Sequence, residues 1–253
     1  MTGLLAALGA TSAQAEMQPH RAVYTLRLGI AANAPRVGSA VQDLVRDCDG
    51  WRLDREIKGE VALTPSLKMN VSSRLDSEEQ ATPHAFRFRT VQTQNGAARE
   101  AKGSVARDGD ELRAEIEVAS GSTALDLPAA TFMPASWLQH TIAELRDGRS
   151  SFAGFLFDAE GTHDAFAVAV KRADARTLRQ RRPADPTVDV PGQSWPVTMT
   201  FTRRGEPAAK PLFTLTAQLF DSGVLDRLTI DAGVAVVTAD LQSVDLHDSP
   251  TCR

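Results

Sequence analysis

The stretch CDGWRLDREIKGEVALTPSLKMNVSSRL, residues 48–75, alternates apolar and polar side chains with a period of two. The apolar parity of its first half comprises Trp51, Leu53, Ile57, Val61 and Leu63, and the charged parity Arg52, Asp54, Glu56, Lys58 and Glu60. Successive side chains of a strand point to opposite faces, so this pattern predicts a strand with one buried and one solvated face. Thr64-Pro65 interrupts the pattern, which resumes over 67–75 and predicts a returning antiparallel strand.

The same alternation recurs along most of the chain and predicts about thirteen to fourteen strands in total. The other predicted strands cover 22–30, 37–47, 84–92, 101–107, 112–118, 151–158, 164–171, 197–201, 213–219, 224–230 and 234–246. Asn95-Gly96 and Asp108-Gly109 are strong hairpin turns, because these residues tolerate the positive φ that such turns require. The strands therefore form two long meanders.

One segment between the meanders has a helical period. Over about 131–146, apolar residues including Met133, Trp137 and Ile142 recur every three to four positions, and Gly148 follows as a left-handed cap. We expect this helix to lie on a sheet face or to fill the open end of a curved sheet. The predicted fold class is therefore mainly β: a single curved antiparallel sheet or half-open barrel around one helix, in one domain over 16–253.

The overall charge limits the kind of partner. The chain has 253 residues, 42% hydrophobic and 24% charged, with a formal net charge of −4. No nucleic-acid partner is expected, because such proteins carry a basic face. Arg179, Arg181 and Arg182 form one basic cluster in the segment 173–192, which we interpret as a long solvated loop or flexible insertion. The alternative is a contact with phosphate or a lipid headgroup.

The amino terminus resembles the end of an export signal. Residues 4–10 are short and apolar, and Ala13-Gln14-Ala15 matches the small-x-small pattern at a cleavage site. We expect a partial signal peptide over 1–15; the alternative is a frayed, Ala-rich terminus. The apolar runs are shorter than the roughly 18 residues of a spanning helix, so the mature chain is expected not to cross a membrane.

Cys48 and Cys252 are the two cysteines of the chain. In an oxidising compartment a bridge between them would close a loop of about 205 residues, worth roughly 5 kcal/mol on the chain-entropy model. Two separate free thiols are the alternative, because a buried cysteine can serve as a small hydrophobic residue. The spacing of these cysteines does not match a zinc or redox motif.

Catalytic chemistry has little support in the sequence. The motifs GxSxG, HExxH, GxxxxGK[ST] and GxGxxG do not occur, and we predict no catalytic residue, metal or cofactor. His163 is interpreted as a surface-turn residue. His140 follows Trp137 by three residues on the predicted helix and could face a cavity or act as a structural residue.

Several segments together resemble the EipB family of periplasmic cell-envelope integrity proteins from alphaproteobacteria. They are HRAVY at 20–24, CDGW at 48–51, PASWLQH at 134–140, DSGV at 221–224 and PTC at 250–252. The resemblance implies a spiral of many antiparallel strands around a helix, closed by a disulfide between Cys48 and Cys252. It also implies a fold similar to the lipoprotein carriers LolA and LolB, although a fold does not by itself establish a function.

Three functions follow as hypotheses. The first is a non-enzymatic, monomeric periplasmic protein that supports envelope integrity through contacts with other envelope or outer-membrane assembly proteins. The second is a carrier whose concave face, lined by Trp51 or Trp137, holds a lipid or a lipoprotein acyl chain. The third is an unrecognised hydrolase that uses His140.

Overall fold

The computed structural model describes residues 17–64, 67–80, 85–161, 164–206 and 210–252. The predicted signal peptide, Pro65, His84 and His163 lie outside these described residues.

Fifteen strands and one α-helix make up the structure, and a short 3₁₀ turn lies at Ala175–Thr177. The strands of the first half are β1 His20–Leu28, β2 Arg36–Arg46, β3 Gly50–Thr64, β4 Leu67–Gln80, β5 Ala85–Gln94, β6 Ala97–Asp108, β7 Glu111–Val118 and β8 Gly121–Leu127. The second half contains β9 Thr131–Phe132, α1 Pro134–Arg146, β10 Ser151–Leu156, β11 Phe166–Arg172, β12 Ser194–Arg203, β13 Phe213–Phe220, β14 Leu225–Asp231 and β15 Val236–Leu246.

All fifteen strands belong to one nearly closed, barrel-like sheet. Its order is β8-β7-β6-β5-β4-β3-β2-β1-β15-β14-β13-β12-β11-β10-β9, so each meander pairs strand by strand and β1 joins the two by pairing with β15. All pairs are antiparallel except β9 with β10, which are parallel. The two free edges are β8 and β9. The predicted fold class, a curved antiparallel sheet with one helix, is confirmed.

The structure has two more strands than the thirteen that the pattern locates, namely β8 and β9. Most of β8 is exposed, so its sequence lacks the apolar alternation of a half-buried strand. The strand β9 has only two residues and pairs with Phe155 and Leu156 of β10. This pairing holds Thr131 and Phe132 extended, and α1 begins at Pro134 rather than at 131.

The apolar parity of the strands faces inward and forms the main core. Trp51 and Leu53 are buried, whereas Arg52 between them is exposed. The helix adds its buried stripe to the same core, where the ring of Trp137 covers the backbone of Gly154 on β10. A Cβ atom at residue 154 would lie 2.7 Å from that ring, so only glycine allows this close approach.

The segment 173–193, which we call the strap, is a long irregular segment, as predicted, and most of its residues are exposed. The prediction that its basic cluster is solvated was wrong. Arg182 is 3% exposed and donates hydrogen bonds to the carbonyls of Gly29 and Ala31, to Thr238 and to Asp240. Arg179 also pairs with Asp240, and Arg181 pairs with Asp226 at 2.5 Å. Val188 and Val190 pack in a second, smaller apolar cluster with residues of β1 and β15. The three arginines of the basic cluster therefore all form ion pairs within the protein.

A disulfide joins Cys48 and Cys252, whose Cα atoms are 5.4 Å apart. Cys48 lies in the turn between β2 and β3, and both cysteines are exposed. The tail after β15 crosses the start of β1, where the His247 amide donates to the Pro19 carbonyl, and reaches Asp43 on β2. The disulfide thus holds the tail across β1 and β2. It lies away from the two edges of the sheet, β8 and β9.

Candidate ligand-binding recess

A cavity of about 400 Å³ opens where α1 begins. We call it the recess. Its apolar wall consists mainly of Trp51, Phe86, Val105, Leu112, Phe132 and Met133. The register explains this grouping, because Trp51, Glu79, Phe86 and Val105 are directly opposite one another across β3, β4, β5 and β6 and so share the inner face. The segment 129–133 and the first turn of α1 cover that row.

Arg46 and Trp51 form the β2–β3 side of the recess. They are direct partners in the ladder, and the guanidinium carbon of Arg46 lies 4.9 Å from the centre of the Trp51 ring. This distance is typical of a cation–π contact. Within the part of the chain that the structure describes, Arg46 makes no ion pair, so its charge is available at the recess.

Two buried polar atoms of the recess lining lack partners. Trp51 is 6% exposed and Thr131 is 8% exposed. Neither the Trp51 Nε1 nor the Thr131 Oγ1 finds a hydrogen-bond partner among the described residues. Leaving a buried donor unpaired typically costs about 1–3 kcal/mol. Both atoms are closed off from solvent, so they do not face the open space of the recess.

Glu79 fixes the start of α1 over the recess. Its two carboxylate oxygens accept hydrogen bonds from the backbone N–H groups of Ala135 and Ser136, at 2.9 Å and 3.0 Å. These groups are among the unpaired donors of a helix N-terminus, and the helix dipole favours a negative charge there. The Ser136 hydroxyl accepts from the N–H of Met133, and a strand of the sheet thus supplies the acceptors that the Met133 side chain at the N-cap cannot. Burial raises the pKa of the Glu79 carboxyl.

The raised pKa of Glu79 predicts a pH-dependent stability. Just above the ordinary pKa of 4.5, the folded protein keeps the Glu79 proton while the unfolded chain has lost it. The unfolded state then binds fewer protons, so the free energy of unfolding should fall as pH rises through this range. Denaturant unfolding at a series of pH values should show that the wild type loses stability relative to Glu79→Gln over this range.

Glu78→Gln is the matched control, because Glu78 is the exposed neighbour on the opposite face of β4. This control shows whether the loss of an exposed carboxylate on the same strand has the same effect as the loss of Glu79. If the stability difference between the wild type and Glu79→Gln does not change with pH, the raised pKa of Glu79 is contradicted.

Beyond the recess, the middle of the concave face is filled by the turn after β10. Phe157 packs against Phe86 and Phe88, with ring centres 6.3 Å and 5.9 Å apart. Arg55 on β3 reaches the same turn and pairs with Asp158, at 3.3 Å, and with Glu160. The interior is therefore not one continuous hollow. This turn separates the recess from a second cavity of about 570 Å³ at the other end of the same face, lined in part by Ile57, Ser73 and Gln92.

The three aromatic residues predicted for a cavity or for the helix lie in two places. Trp51 lines the recess. Trp137 and His140 instead pack between α1 and the edge of the sheet, where the His140 ring stacks on Phe132 with centres 4.6 Å apart and meets Phe152 edge-on. This stacked arrangement is that of a packing residue.

Glu79 in the recess and Arg55 beside it are inward-facing charged residues that the sequence interpretation missed. Both fall on the apolar parity of their strands, Arg55 between Leu53 and Ile57, and Glu79 beyond Leu75 and Ser77. A charged residue on the buried parity of a strand needs a partner, because an unpaired buried charge is strongly destabilising. The position of Arg55 and Glu79 on the buried parity therefore indicates that each has a partner, although the sequence does not show which residues these partners are.

A metal site does not emerge from the described residues, which contain no group of three or more His, Cys, Asp or Glu side chains able to hold an ion. Within the same residues, none of the helices has the length and apolar character needed to span a bilayer.

Comparison with known proteins adds a family and a fold. The family model described as EipB-like matches residues 11–248. A solved structure, a β-barrel-like protein of domain of unknown function DUF1849 from Brucella abortus, superposes with a TM-score of 0.76 at 19% sequence identity. The match covers 92% of this chain and 99% of that chain. No curated protein sequence matches the chain significantly.

Proposed function

The chain belongs to the EipB-like family, and from this premise we propose that it is a non-enzymatic periplasmic protein that supports the integrity of the cell envelope. In this proposal the protein acts as a monomer through contacts with other envelope or outer-membrane assembly proteins.

The Cys48–Cys252 disulfide is the observation that carries the periplasmic part of the proposal. Disulfides persist in the bacterial periplasm and are rare in the reducing cytosol. Both cysteines are exposed, so this bond would be open to cytosolic reductants. The export signal expected over 1–15 agrees with the same compartment.

Deletion and complementation in a bacterium that carries the gene test this function. We expect the deletion strain to become sensitive to detergents and to EDTA, and the exported protein to restore resistance. The matched control is the same chain without residues 1–15, expressed at an equal level, which should not restore it. Unchanged envelope sensitivity after deletion would contradict the proposal.

A second function, the binding of a lipid or an acyl chain, is favoured by the recess and its apolar wall. Ligand pockets commonly have volumes of about 300–1,000 Å³ and a mainly apolar lining with a few polar groups. The recess, at about 400 Å³, fits the lower part of that range. Native mass spectrometry of protein purified from the periplasm should detect a co-purifying lipid. A protein that carries no lipid, and whose tryptophan fluorescence does not respond to added lipid, would contradict this function.

A further inference from the structure

We infer that the recess selects a single-chain amphiphile with an anionic head, a carboxylate or a phosphate, which Arg46 binds while the chain lies along Phe86, Val105 and Leu112. This inference rests on the second proposed function, lipid binding, and it narrows the class of ligand.

The size and the wall of the recess limit the apolar part of the ligand. Its apolar residues lie on neighbouring strands from Trp51 on β3 to Leu112 on β7, with Glu79 on β4 between Trp51 and Phe86. The filled middle of the sheet, with Phe157 and Arg55, closes the route further inside. About 400 Å³ bounded in this way suits one aliphatic chain rather than the several chains of a lipoprotein anchor.

The charges around the recess favour an anion. Its charged residues are Arg46, Arg107 and Glu79. The negative charge of Glu79 is already held by the helix N–H groups of Ala135 and Ser136. Arg107 is exposed and donates to the Ala129 carbonyl at 2.7 Å. Arg46, placed over Trp51 and free of an ion pair in the described structure, is the cation best placed to meet the head.

Titration of delipidated protein with defined probes, followed by tryptophan fluorescence and calorimetry, tests the inference. The probes are myristate, myristoyl lysophosphatidic acid, the uncharged monomyristin and inorganic phosphate. We expect the two anionic amphiphiles to bind at least about tenfold more tightly than monomyristin, a difference of about 1.4 kcal/mol, and phosphate alone to bind weakly. The tighter of the two anionic probes identifies a carboxylate or a phosphate as the preferred head.

Variants of Arg46 separate the head contact from the chain contact. Arg46→Gln should lower the affinity for the anionic probes to that for monomyristin, and Arg46→Lys should retain most of it. Arg52→Gln is the matched control, because Arg52 is exposed on the opposite face beside Trp51. This control should bind like the wild type.

Three outcomes would overturn the inference: equal binding of monomyristin and myristate, an Arg46→Gln variant with unchanged affinities, or binding of inorganic phosphate as tight as that of the amphiphiles. The envelope assay distinguishes a failure of this inference from a failure of the first proposed function. If Arg46→Gln restores the deletion strain fully, the contact function does not require the anionic head. If the deletion has no phenotype while the titration succeeds, only the contact function fails.

Discussion

Replacing Cys48 by serine should lower the free energy of unfolding by up to about 5 kcal/mol, because the disulfide joins residues that are 204 positions apart in the unfolded chain. At about 2–4 °C per kcal/mol for a domain of this size, the melting temperature should fall by up to roughly 10–20 °C. The tail beyond β15 is then held by few contacts, such as the His247 bonds to Pro19 and Asp43. Thermal unfolding followed by circular dichroism, together with denaturant titration, measures both quantities.

The single and double serine variants provide the internal control. Cys252→Ser should lose as much stability as Cys48→Ser, and the double variant should lose no more than either, because one bond is removed in all three. A reductant should destabilise the wild type and leave the double variant unchanged. Additive losses in the double variant would show that the two cysteines contribute separately.

The position of this disulfide illustrates what the sequence could and could not predict. The alternation of residues 48–75 predicts the β3–β4 pair, and the register of the structure follows it from Gly50 to Ala62, with an irregularity before Thr64. The same alternation cannot reveal which distant strands become neighbours. The pairing of β1 with β15 makes the sheet continuous between the two meanders, so the bond reinforces a region that is already hydrogen-bonded. The free edges at β8 and β9 have no such covalent link.

The recess was predictable only in part, for a related reason. Trp51 was expected on the inner face from its parity, and it lines the recess. Arg46, Glu79 and Thr131 come from three separate segments, and the curvature of the sheet with the start of α1 brings them together. Local periodicity carries no information on such long-range contacts. The inward position of a charged residue such as Glu79 is the one local sign that a specific partner exists.

The burial of the strap arginines was not predictable, because charge content does not distinguish a solvated loop from a buried ion-pair network. Arg and Pro without a period are typical of exposed segments. The acceptors of Arg182 lie more than fifty residues away, on the turn after β1 and on β15. Asp226 and Asp240 lie on apolar-rich strands and are each 3% exposed. Buried aspartates of this kind indicate that cationic partners exist elsewhere in the chain.

Arg182→Met is therefore expected to lower the free energy of unfolding by about 3–5 kcal/mol, the usual cost of removing one partner of a buried ion pair. The variant would leave Asp240 with fewer donors and the carbonyls of Gly29 and Ala31 without their guanidinium bonds. Arg176→Met, in the same strap but at an exposed position, is the matched control and should change stability by less than about 0.5 kcal/mol. Because the strap also brings Val188 and Val190 onto the second apolar cluster, amide exchange over β1 and β15 should accelerate in Arg182→Met. A variant with unchanged unfolding and unchanged exchange would show that the strap is held by its valines and by the Arg179 and Arg181 pairs, rather than by Arg182.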